Sequence, residues 1–153
     1  MAARNPVHPK MMSDSPHPIY KVLQDDPRYT VEAYQFVREA LSYAQEVMGL
    51  GVAESIPGGE TQQLERHLTG QELCEASRRY ALEQYGLLAK TVLRSWGIQK
   101  TDDLGEIVYN LIKVDLMKKS DHDRREDFDA VFDFETGLDA AFEFNAIDDE
   151  IEL

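Results

Sequence analysis

The stretch Thr69–Gly97, TGQELCEASRRYALEQYGLLAKTVLRSWG, carries its own start and stop, and it constrains the rest of the chain more than any other segment. Thr69 with Glu72 forms a capping box: the hydroxyl accepts from the backbone N–H three residues on, and the carboxylate returns to the cap's own N–H. Leu73, Ser77, Tyr80, Ala81 and Leu88 recur at helical spacing, and the pattern resumes at Leu88, Val92 and Trp96. Gly97 then fits the position after a helix end, where φ > 0 is required. Gly86 lies in the middle. The segment is either one helix bearing a glycine at a cost of about 1 kcal/mol or two helices hinged at Tyr85–Gly86, and the hinge is the preferred reading.

At 153 residues the chain can bury one sizeable core without disulfides or a structural metal. Its single cysteine, Cys74, excludes an intramolecular disulfide and a thiolate zinc cluster, and fits a reducing, cytoplasmic setting. No apolar run approaches the length of a membrane span, so a soluble protein is expected. The net charge of −13 is unevenly spread. Residues 1–120 hold 16 acids and 14 bases, whereas residues 121–153 hold 13 acids against only Arg124 and Arg125. Such a block repels nucleic acid and anionic membrane and favours basic surfaces.

Residues 1–18 are rich in proline and polar residues and read as a disordered arm. Its two His-Pro pairs, at His8 and His17, have nothing to hold them together as metal ligands. Ile19–Leu23 is a short apolar patch closed by the turn at Asp25–Pro27. From Thr30 to Met48, one stripe of Tyr34, Val37, Leu41, Ala44 and Met48 and a second of Phe36, Ala40, Tyr43 and Val47 predict a central helix covered on most sides. Gly49 and Gly51 end it. Residues 52–68 read as a surface loop, with Arg66–Leu68 a candidate short strand.

Thr101–Asp103 open a further helix with a buried stripe of Leu104, Val108, Leu111 and Ile112, and Asp115 is placed in its last turn beside Lys118 or Lys119. After a polar turn, Phe128, Ala130, Phe132 and Phe134 alternate as a half-buried strand would. The segment 135–153 reads as a disordered acidic tail.

GQEL at 70–73, YALEQYG at 80–86, SWGI at 95–98, DLGEIVYNL at 103–111 and the Asp127–Phe128 pair together resemble a bacterial family of conserved hypothetical proteins. The resemblance spans roughly Tyr20 to Phe134. It implies bacterial origin and a shared domain, and it brings no catalytic residue with it. The acidic extension after Phe134 departs from that family's shorter ending.

No constellation fit for catalysis stands out. Cys74 sits in the first turns of a helix, where the dipole could lower its pKa, and His67 lies just before the helix start, so an enzyme site near His67 and Cys74 is one alternative. Against it, unpaired cysteines are commonly buried small hydrophobes. Asp121, His122 and Asp123 read as a solvated turn, and no metal or cofactor is expected. Helices at 70–84, 87–96 and 103–117 followed by a turn and a strand follow the order of a winged helix-turn-helix, which makes nucleic-acid binding the other alternative. A near-neutral body with an acidic appendage disfavours it.

The sequence therefore predicts an α+β, mostly α domain over 19–134, with about four helices and a short strand or hairpin, between the arm 1–18 and the tail 135–153. The expected function is a non-catalytic protein-protein interaction or regulatory module whose partner is another protein with a basic or apolar groove. Candidate contacts are Lys90 and Arg94 on the body and Phe142 and Phe144 in the tail. In one variant the tail covers Lys90 and Arg94 until a partner displaces it.

Overall fold

A computed structural model describes residues 16–51, 68–119 and 123–139. Among the described residues six α-helices run in the order α1 (Pro18–Asp25), α2 (Val31–Glu46), α3 (Gly70–Tyr85), α4 (Ala89–Ser95), α5 (Thr101–Lys113) and α6 (Phe134–Gly137), with 3-10 turns at Gly86–Leu88 and Arg125–Phe128. The fold is mostly helical, and there is no strand among the described residues. No helix among the described residues is long and apolar enough to cross a membrane.

The predicted punctuation is made by the expected groups. Thr69 Oγ1 accepts from Glu72 N at 3.1 Å, and Glu72 Oε1 accepts from Thr69 N at 3.1 Å, so α3 begins in a complete capping box. α3 stops at Tyr85, and Gly86 takes φ +52°, so the hinge is real. Gly97 closes α4 at φ +99°. Its N–H bonds Arg94 O and the next N–H bonds Leu93 O, the paired bonds of a left-handed helix cap. The tight course here also excludes a side chain, since a Cβ on Gly97 would lie 2.0 Å from Arg28 O. At the other end of the molecule, His17 caps α1 by accepting from Ile19 N at 3.2 Å.

α2 packs chiefly on α3 and then on α5, burying Ala33, Tyr34, Phe36, Val37, Ala40 and Ala44. Alanines at the crossing let the backbones approach, while Phe36 reaches a row of rings: Trp96 at 5.9 Å and Tyr80 at 5.7 Å, with Tyr43 a further 5.4 Å from Tyr80.

Three of the sequence motifs meet at Phe128, which is only 5% exposed. Its ring fills a slot between Gly70 at the start of α3 and Gly105 in α5. A Cβ on Gly105 would stand 2.9 Å from both Cβ and Cγ of Phe128, and one on Gly70 would stand 2.8 Å from Asp127 Cβ. The buried Thr101 hydroxyl donates to Phe128 O at 2.7 Å and accepts from Val131 N at 3.0 Å. Asp102 accepts from Ala130 N at 3.2 Å. The glycines of GQEL and DLGEIVYNL thus make room for the phenylalanine of the third motif.

This arrangement replaces the strand expected over Phe128–Phe134. The segment instead runs as the 3-10 turn, a bend with Ala130 at φ +48°, and α6. Its acids serve as helix caps, not as the outward face of a strand: Asp127 accepts from Arg124 N at 3.2 Å and Asp133 from Glu135 N at 2.7 Å. Phe128 and Phe134 are buried, and Phe132 stacks on Phe134 at 5.5 Å. The core continues to Leu138, three residues or more past the expected start of the tail.

α5 also ends earlier than expected, at Lys113. Asp115 lies beyond it at φ +60°, where its N–H bonds Ile112 O and the next N–H bonds Leu111 O. Asp115 therefore occupies the left-handed cap position after the helix and is exposed, not part of the last turn's buried stripe.

Candidate interaction surface

The break at Gly86 resets the helical phase, and this decides which side chains α4 presents. Leu88, expected as a core residue, is 62% exposed and its neighbour Leu87 is 75% exposed, while Ala89 and Leu93 supply the buried stripe. Two adjacent leucines in water at a helix junction are the most exposed large apolar pair among the described residues. From Leu87, a spacing of three, four and seven reaches Lys90, Thr91 and Arg94. The leucines of the 3-10 turn thus lead in sequence into the two candidate cations of α4.

Lys90 and Arg94 are brought together as predicted, and one acid bridges them. Glu135, at the start of α6, accepts from Lys90 Nζ through Oε2 at 2.8 Å and from Arg94 Nη2 through Oε1 at 2.8 Å. The hydrogen bonds from Lys90 and then Arg94 hold its carboxyl down to about 2. The Glu135 side chain is nevertheless 61% exposed, so the clamp is open to solvent and to salt. Its grip on Arg94 is incomplete: Nε of Arg94 is enclosed by protein and has no acceptor. By contrast, Asp26 holds Arg28 side-on, through Nε and Nη2 at 2.8 Å each.

α6 keeps Glu135 in place. Phe134 and Leu138 bury themselves on either side of it in sequence, and Asp133 caps the helix. The opening residues of the acidic segment are therefore docked on the body through Phe134, Glu135 and Leu138. Phe142 and Phe144 lie outside the described residues.

Among the described residues the remaining candidates do not assemble into a reactive site. Cys74 is wholly buried, and desolvation, with smaller contributions from Asp102 and Glu75, pushes its thiol up to about 12. That thiol is neither nucleophile nor ligand at neutral pH. His67, Asp121 and His122 lie outside the described residues. Among the described residues no group of three or more His, Cys, Asp or Glu side chains could hold a metal ion. Arg78 and Arg79 both bond Glu75, at 2.7 and 3.1 Å. Glu83 is drawn instead toward the Tyr43 hydroxyl.

A cleft of about 350 Å³ opens between the α1–α2 turn and α5, lined in part by Asp26, Arg28, Glu106, Asn110, Lys113 and Arg125. Most of its charge is spent internally. Asp26 takes Arg28 and an N–H of Asn110 at 2.9 Å, and the Arg28 bonds keep its carboxyl well below the usual range. Glu106 lies between Arg28 at 3.3 Å and Arg125 at 3.5 Å. The cleft is a polar fastening between two parts of the fold.

Leu87, Leu88 and Glu135 were missed as site residues. The Gly86 signal, carried one step further, predicts that residues after it fall out of phase with α3, and that would have exposed the leucines. No local signal identifies Glu135, because its partners are more than 40 residues away. No family model matches this chain, and neither a curated protein nor a solved structure matches it.

Proposed function

We propose that this protein is a non-catalytic interaction module that presents the α4 surface, Leu87 and Leu88 with Lys90 and Arg94, to another protein. One observation carries the reading: two exposed leucines shortly precede in sequence a cation pair that is held by a solvent-exposed acid on a separate element. Exposed apolar side chains rimmed by polar ones mark interaction sites. A partner suited to this surface carries apolar side chains to cover the leucines and a carboxylate to replace Glu135. The sequence reading puts the docking groove on the partner; the present reading puts the receiving surface on this chain.

The family resemblance and the single buried thiol support a bacterial cytoplasmic setting. A nucleic-acid role has weaker support, because the two cations best placed for phosphate already carry Glu135.

Cross-linking capture from native lysate with three full-length forms tests the proposal. Leu87→Glu/Leu88→Glu removes the apolar contact and is expected to lose the partner, whereas Glu135→Gln frees the cations and is expected to recover more of it. Identical recovery by wild type and both variants refutes the reading.

A further inference from the structure

We infer that the α4 surface has a resident occupant within the chain, residues 140–153, which an outside partner must displace. The inference rests on the interaction reading above and names what competes at the same leucines and cations.

Chain continuity is the first support. α6 is already pinned to the body by Phe134, Leu138 and the Glu135 clamp, and the last described residue is Asp139. Residue 140 therefore starts a few residues from an acid that touches Lys90 and Arg94. Fourteen residues, at roughly 3.3 Å each when extended, reach well past Leu87, which is only three positions from Lys90.

Composition is the second. Residues 140–153, AAFEFNAIDDEIEL, contain Glu143, Asp148, Asp149, Glu150 and Glu152 and no lysine or arginine. Phe142 and Phe144 flank Glu143 within the first five positions. Two rings for two exposed leucines, with a carboxylate between them for the neighbouring cations, match the surface in both polarity and charge. Tethering is the third. A segment joined to its site by a short connection acts at millimolar effective concentration, so a weak contact is enough to hold it. A second copy of the chain, lacking that advantage, competes poorly.

The test keeps the full chain. Phe142→Ser/Phe144→Ser is expected to shift the backbone amide resonances of residues 87–94 relative to wild type, independent of protein concentration. A fluorescent synthetic peptide of sequence 140–153 is then added in trans. It is expected to bind the Phe142→Ser/Phe144→Ser chain saturably, about tenfold or more tighter than wild type, whose site is already filled. Adding Leu87→Glu/Leu88→Glu is expected to abolish that binding. Unchanged resonances, equal peptide binding by both chains, or no binding by either overturns the inference, and shifts that grow with protein concentration assign the site to a second copy instead. The two proposals fail separately. If the peptide results fail while partner capture still depends on Leu87 and Leu88, the surface stands without its internal ligand. If the peptide behaves as expected and capture fails, the surface serves only the chain itself.

Discussion

Removing the Phe128 ring should lessen the cost of a second substitution, and this tests how the three elements are joined. Phe128 is almost fully buried in a slot floored by Gly70 and Gly105, so Phe128→Ala is expected to cost about 3–5 kcal/mol. Gly105→Ala in the intact protein has two opposed effects. Alanine in place of glycine inside α5 favours the helix by about 1 kcal/mol. The new methyl, however, would lie 2.9 Å from Phe128 Cβ and Cγ, and such overpacking costs about 1–3 kcal/mol. The net effect is a loss of up to about 2 kcal/mol. In the Phe128→Ala background the contacts with Cγ and Cδ2 are gone while that with Cβ remains, so Gly105→Ala should cost less there than in the intact protein. Urea unfolding followed by fluorescence of Trp96, the only tryptophan, measures all four corners of the cycle. A typical total stability of 5–15 kcal/mol leaves the single variants folded. If Gly105→Ala costs the same in both backgrounds, Phe128 does not fill that slot.

Three further outcomes follow from the geometry. Cys74, buried with its thiol pushed up to about 12, should react with a thiol reagent at neutral pH only as fast as the protein unfolds, and rapid labelling under native conditions would refute its burial. Gly97→Ala should destabilise by at least about 2 kcal/mol in thermal or urea melts, because the left-handed backbone is strained for alanine and the methyl would press on the Arg28 carbonyl. Leu87→Glu/Leu88→Glu should leave stability within about 0.5 kcal/mol per site, since neither leucine is in the core, and a large loss on denaturation would place them inside it.

The helices were legible where side chains signal locally. The Thr69–Glu72 box, the Gly86 break and the Gly97 cap each depend on groups within five residues, and each is found as read. The stretch from Phe128 to Phe134 was misread because alternation of aromatic and acidic residues has two physical causes. In a strand it separates two faces; here the rings plug slots in other elements and the acids cap short helical turns. Only the distant glycines at positions 70 and 105 distinguish these cases. The cation pair of the candidate surface was visible from the four-residue spacing of Lys90 and Arg94, but its bridging acid was not, since that contact depends on how α6 folds back over α4. Leu88 was misplaced because helical periodicity was continued across the very glycine that interrupts it.

Whether Glu135 clamps Lys90 and Arg94 is best measured by following its side-chain carboxyl carbon by NMR as pH is lowered. A carboxyl whose pKa is depressed by cations keeps its charge, and its hold on them, from neutral pH down through the ordinary carboxylate value of 4.5, and loses it only as pH falls through its own pKa. The clamp predicts a titration midpoint near 2 in the wild-type protein and a return toward 4.5 in Lys90→Met/Arg94→Met. A wild-type midpoint near 4.5, unmoved by those substitutions, contradicts it.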